Sequence, residues 1–173
     1  MDNMFENQVD DLDVLILTQL QEDGRKSFTD IARSLNIAVG TVRNRVTKLL
    51  EDGTLRIIGR VDPHRVGFHI PASINVSVKP QHIEAAITEI AKFREVSYLA
   101  ITTGEYDLVV DVACRDANHL TEFIINRLSK VVGVDKIQNS IILRIAKVAQ
   151  PDLNLVKIAG SHNHNEYGFI SRE

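Results

Sequence analysis

The 173-residue chain has one cysteine, no tryptophan and only 5% aromatic residues. A single thiol, Cys114, excludes a disulfide framework within the chain and points to a reducing compartment. No run of about 18 apolar residues occurs, which excludes a membrane-spanning helix. Met1 to Asp13 lacks a basic start followed by an apolar stretch, so no secretory leader is expected and the chain is placed in the cytoplasm. There is no phosphate-binding Gly-rich loop, nucleophile elbow or zinc-ligand spacing, so the sequence predicts neither an enzyme nor a cofactor or metal. The six histidines are scattered; His162 and His164 fall in a polar tail, where a solvated segment is the simpler reading than a metal site.

Positive charge is missing from the start and crowded just after it. Asp2, Glu6, Asp10, Asp11, Asp13, Glu22 and Asp23 precede the first cation. Residues 24–66 then hold nine Lys or Arg against four acids, although the whole chain carries −3. A local basic field steers a polyanion even when the net charge is negative. On charge alone, an ordinary solvated surface is an equal alternative.

Hydrophobic spacing divides the chain. Leu12, Leu15, Ile16 and Leu20 predict a helix over 11–22 that stops near Gly24. Ser27 and Asp30 give a capping signal for a short second helix with Ile31, Ala32 and Leu35 inward. Asn36 suits a left-handed turn residue. A third helix is predicted from about Val39 to Asp52, with Val42, Val46, Leu49 and Leu50 inward. Leu55 to Val61 reads as a linker strand. Strands follow at Ile70–Lys79, Val96–Thr102, Tyr106–Cys114 and, long or bent, Val134–Val148, with helices at His82–Phe93 and Ala117–Val131. That order is β-α-β-β-α-β, a ferredoxin-like unit. The expected fold is α+β: a winged-type helix-turn-helix over 1–66, a βαββαβ domain over 67–150, and a tail over 151–173, mobile from about Ile158.

Three helices in about forty residues with a tight turn before the third fit a helix-turn-helix. At roughly 100° per residue, Thr41, Asn44, Arg45 and Lys48 share one polar, acid-free side of the third helix. Cations address guanine edges or phosphate, Asn addresses adenine, and Thr touches a thymine methyl. Gly40 lets the helix start approach a backbone closely, and Arg43, nearer the apolar edge, suits a phosphate or a neighbouring acid. An amphipathic core helix with a solvated basic face is the alternative.

Together, in order and without gaps, Leu12-Asp13, Ile16-Leu17, Leu20, Asp23-Gly24-Arg25, Ile31-Ala32, Thr41-Val42, Arg45-Val46, Leu49, Glu51, Gly53 and Asp62-Pro63 to Gly67 resemble the N-terminal domain of the leucine-responsive regulatory protein/AsnC family. One departure stands out. The family usually has a capping Ser where this chain has Ala38, and Ala caps worse by about 1 kcal/mol. Residues 68–150 are similar to the same family's ACT-like effector domain, with Thr103-Gly104-Glu105-Tyr106-Asp107-Leu108 as the signature.

The resemblance implies a DNA-binding transcription regulator that responds to a small effector, usually an amino acid. It implies an effector site at Gly104, Glu105, Tyr106 and Asp107, with Ile101, Ala117, Ser140 and Ile142 around the pocket or an interface. Gly104 can turn backbone N–H groups toward a carboxylate, and Glu105 and Asp107 can bind an ammonium. Taken by themselves these residues read more simply as a hairpin with a capping Asp. The resemblance also implies homodimers, often assembled into octamers, that read a palindromic double-stranded site. A sheet with helices on one face needs cover on the other, so Ile74, Val76 and Val78 are expected to be buried by a second subunit. Two other classes compete: an enzyme subunit similar to sirohaem decarboxylases, and an architectural DNA organiser of low specificity.

Overall fold

The structure is a computed structural model and describes residues 9–155. The described residues separate into two compact units, 9–59 with 149–155, and 60–148.

In the first unit, α1 spans Asp11–Glu22, α2 Phe28–Leu35 and α3 Val39–Glu51. Asp10 caps α1 through a reciprocal box with Asp13, which satisfies two of the backbone donors a helix start leaves free. Ser27 caps α2 through the Asp30 N–H. Asn36 takes the left-handed conformation at φ 53°, and the Ile37 N–H returns to the Ala32 carbonyl at 3.0 Å. That closure turns the chain sharply into α3. Ile16, Leu20, Ile31, Ala32, Val42 and Val46 form the core. Two expected core positions differ: Leu15 and Leu50 are exposed, while Leu17 is buried. Asp13 is also buried, which the hydrophobic spacing could not indicate.

Leu55 to Val61, expected as a strand, contains none. Apart from the Leu55 N–H to Leu49 carbonyl bond, this segment finds no backbone partner among the described residues, and an extended chain becomes a strand only beside another.

The second unit holds β1 (Ile70–Val78), α4 (Ile83–Ile90), β2 (Val96–Ile101), β3 (Leu108–Cys114), α5 (Ala117–Asn126) and β4 (Val134–Ile141). The sheet order is β2-β3-β1-β4, all antiparallel, the arrangement predicted from the β-α-β-β-α-β reading. Alternate residues of β1 and β3 point at the helices: Ala72, Ile74, Val76, Val78, Leu108, Val110, Val112 and Cys114 pack with Ala86, Ile90, Leu120 and Phe123. Ile74, Val76 and Val78 are therefore buried by this chain's own helices, not by a partner. The opposite sheet face presents Ser73, Asn75 and Ser77 from β1 beside Asp111, Gln138 and Ser140.

Several element ends fall short of expectation: α4 closes at Ile90 rather than Phe93, β3 opens at Leu108 rather than Tyr106, and two differ most. β4 stops at Ile141 because β1 begins at Ile70; the last link is the Ile142 N–H to the Pro71 carbonyl. α5 ends at Asn126 and resumes as a short 3-10 turn over Leu128–Lys130. At the break, Arg127 stacks on Phe93 and donates to Glu95 at 2.6 Å. Gly133 follows at φ 90°, against the His82 side chain, where an added Cβ would collide.

Glu95 is held by two groups. His119 Nδ1 accepts the Arg115 N–H, so its Nε2 carries the proton and donates to Glu95 at 3.3 Å. Burial pushes the Glu95 carboxyl up, but its own backbone N–H, the His119 hydrogen bond and the Arg127 charge outweigh that and leave it below the ordinary glutamate range. A depressed folded-state value contributes stability above the unfolded pKa of about 4.3 and loses it as pH falls through the folded value. Urea midpoints of wild type and Glu95→Gln are expected to differ at pH 7 and to converge below about pH 4. A constant gap across that range would show that Glu95 is not the titrating support.

Candidate DNA-reading and effector sites

α3 buries Val42, Val46 and Leu49 and turns Gly40, Arg43, Asn44, Thr47, Lys48 and Glu51 to solvent. From Gly40 to Lys48 this outer side carries two cations, two neutral hydrogen-bonding side chains and no acid. Thr41 is half-buried at its edge. Thr47 joins this side although the helical-wheel set that begins at Thr41 does not include it. The signal was present: Thr47 lies three residues beyond Asn44 and four beyond Arg43, hence on the same side.

Arg45 differs from its neighbours. It is half-buried and turns toward the start of α1, donating to Asp10 at 2.5 Å and Asp13 at 3.2 Å. The sequence reading had offered a neighbouring acid to Arg43; the structure gives it to Arg45. The Asp10 hydrogen bond foremost raises the Arg45 pKa, against a smaller desolvation effect. At Asp10, burial acts upward, but the Asp13 N–H and the Arg45 guanidinium prevail and hold the carboxyl low. Ala38 stands at the N-cap of α3 in extended conformation, and no side chain caps the helix among the described residues.

In the second unit, Gly104 occupies the β2–β3 turn at φ 129°, a backbone conformation that favours glycine. Glu105 is exposed and Tyr106 half-buried. Asp107 is engaged: its carboxylate accepts the Val78 N–H at 2.8 Å and the Ser77 hydroxyl at 3.3 Å. The sequence reading paired Glu105 and Asp107 as ammonium ligands. The structure makes Asp107 the brace that ties the turn to β1 and leaves Glu105 free.

Ile101 pairs with Leu108 beside this turn. Ala117, Ser140 and Ile142 do not join it. Ala117 follows the far end of β3, Ser140 pairs with Ser73, and the Ile142 N–H reaches the Pro71 carbonyl. The seven residues of β3, roughly 20 Å of strand, separate Ala117 from the turn, whereas Ser140, opposite Ser73 and so level with Asp111, stands near the middle of the sheet. Val61, Leu143, Ile145 and Val148 line an open cleft of about 610 Å³ with Arg60 and Arg144. Among the described residues no cluster of His, Cys, Asp or Glu is placed to hold a metal, and no helix is long and apolar enough to cross a membrane.

A helix-turn-helix joined to a βαββαβ ligand domain defines a class of DNA-binding transcriptional regulators. The family model described as the AsnC-type helix-turn-helix domain matches residues 9–50, and that of the Lrp/AsnC ligand binding domain matches residues 72–151. An uncharacterised HTH-type transcriptional regulator of Pyrococcus horikoshii is 36% identical over 141 residues, covering 81% of this chain and 89% of that protein. The HTH-type transcriptional regulator Ptr1 of Methanocaldococcus jannaschii is 34% identical over 140 residues, covering 80% and 95%. A transcriptional regulator of Neisseria meningitidis, solved in complex with L-Met, matches with TM-score 0.77 and 25% identity over 84% of this chain and 97% of that one. Escherichia coli AsnC shares the fold at TM-score 0.76 and 23% identity, over 83% and 97%. The chain belongs to the Lrp/AsnC family of transcriptional regulators.

Proposed function

We propose that this regulator reads a palindromic double-stranded site with the outer side of α3, and that binding a small amino acid at the β2–β3 turn changes its DNA affinity or assembly. It acts in the cytoplasm and catalyses no reaction. Residues 1–66 form the reader with its linker, 67–150 the sensing and assembly part, and 151–173 a tail; from Val156 onward that tail lies outside the described residues. The observation that carries this reading is the outer side of α3: Gly40, Arg43, Asn44, Thr47 and Lys48 offer groove-compatible groups with no acid between them.

Two features support a homodimer, extended to a higher oligomer such as an octamer. Ala117 and Ile142 lie toward the end of the sheet away from Gly104 to Asp107, so one site that uses both groups would be completed by a second copy. Leu143 is 95% exposed and, with Val61, Ile145 and Val148, presents apolar surface that a partner chain would cover. The complex with L-Met of the Neisseria meningitidis regulator supports an amino-acid effector.

The test is selection of bound sequences from a random DNA pool, with and without each amino acid, beside light scattering. A recovered palindrome whose retention shifts with one amino acid is expected. Recovery of no preferred sequence, with binding that simply collapses as salt rises, would favour an architectural organiser instead.

A further inference from the structure

The Arg45 contacts join two features that the α1 sequence serves at once. Asp10 and Asp13 form the reciprocal box that starts α1. The same two carboxylates receive Arg45 from α3. The Asp13 side chain is only 7% exposed, and its Oδ1 has no hydrogen-bond partner among the described residues. Arg45 supplies the positive charge that faces this buried carboxylate. Releasing Arg45 to a phosphate would strand it, which costs more than one solvent-exposed phosphate contact returns. α3 has no side-chain cap of its own at Ala38, so its placement leans on contacts further along. Arg45 sits next to Asn44 and three residues before Lys48, where a fixed side chain sets the roll of the helix and the aim of both.

We propose that Arg45 is a positioning residue for DNA reading: held by Asp10 and Asp13, it fixes the rotation of α3 against α1 and contacts no base. This rests on α3 as the reading helix. Direct base contact by Arg45, the role suggested by the helical wheel, is replaced by a clamp. Lysine is a partial substitute: both bonds come from the single nitrogen Nη1, so one ammonium can supply the charge and the donors but not the guanidinium's reach and planarity.

The sign of one effect separates the two roles. Asp13→Asn removes a negative charge, which by simple electrostatics should favour binding to a polyanion. The clamp requires the opposite: specific affinity falls about tenfold, the loss expected when a bidentate base contact is misaimed. The measurement is fluorescence anisotropy of the full chain on its selected site and on random DNA, over a salt series, for wild type, Asp10→Asn, Asp13→Asn, Arg45→Gln and Arg45→Lys.

All four variants are expected to lose specific affinity, Arg45→Lys least, with random-DNA binding within about twofold of wild type and an unchanged salt slope. A fall of about one in the salt slope for Arg45→Gln, with Asp13→Asn binding as tightly as wild type or tighter, overturns the clamp and makes Arg45 a phosphate ligand. Should Asp13→Asn fail to fold, the half-exposed Asp10→Asn carries the same sign test, and undiminished binding by it overturns the proposal. Wild-type protein that selects no sequence at all would instead overturn the reading of α3, a result distinguishable from any of these.

Discussion

Replacing Asn44 and Lys48 together by alanine is expected to lower affinity for the selected site by about a hundredfold or more while leaving the fold intact. Both side chains are exposed on α3, and neither belongs to the core of the first unit. Surface substitutions of this kind change stability by about 0.5 kcal/mol or less. The binding loss has two parts. An Asn that grips an adenine edge with two hydrogen bonds contributes about 1–3 kcal/mol of discrimination. A Lys that neutralises a phosphate contributes through counterion release, so its loss lowers the salt slope by about 0.9 per contact. The single variants should therefore differ in kind: Asn44→Ala relaxes sequence preference, whereas Lys48→Ala weakens all DNA alike and flattens the salt dependence. Anisotropy titrations at several salt concentrations, beside a melting curve, resolve them. A double variant within twofold of wild type would remove the outer side of α3 as the reading surface.

The second large effect lies in the ligand domain. Phe123→Ala is expected to cost about 3–5 kcal/mol, the range for deleting a buried aromatic ring. Phe123 is 1% exposed and packs edge-on against Phe93 at 5.6 Å, and Arg127 stacks on the outer side of Phe93. Its neighbours are the sheet and α4 side chains of one continuous core, so the cavity has little means to close. Domains of this size are stable by about 5–15 kcal/mol, and the loss corresponds to a melting shift of roughly 15 °C or more. The cores of the two units share no residue. Scanning calorimetry should show the loss in one transition, with the helical signal of the first unit retained. Phe123→Leu, which keeps most of the volume, should cost far less. A Phe123→Ala transition within a few degrees of wild type would mean that the ring is not packed as described.

Much of this was legible in the residues themselves. Periodicity located α1 and α3 to within a residue at each end, because both have caps or stops in the sequence: Asp10 and Asp13 at one start, Gly24 and Gly53 beyond the ends. Alternation located β1, and the order of strands and helices implied the antiparallel sheet. Local chemistry sufficed there because each element carries its own period. It failed where the outcome depends on a partner in space. Leu55 to Val61 has the composition of a strand but finds no neighbouring strand among the described residues. Residues beyond Ile141 keep a strand-like sequence after β1 has run out.

The single cysteine and the missing apolar runs already excluded an internal disulfide and a membrane-spanning helix, and the hydrophobic period divided the chain into a helix-turn-helix part and a βαββαβ part, because composition and period are properties of the residues alone. Tertiary structure decided which of several equivalent side chains does what. Arg43, Arg45 and Lys48 are alike as cations on one helix, yet only Arg45 meets Asp10 and Asp13, because α1 passes its side of α3. Glu105 and Asp107 are alike as acids in one turn, yet only Asp107 finds the Val78 N–H of β1. Charge is written in the sequence; whether a charge is already spent on a neighbour depends on contacts between residues about thirty positions apart.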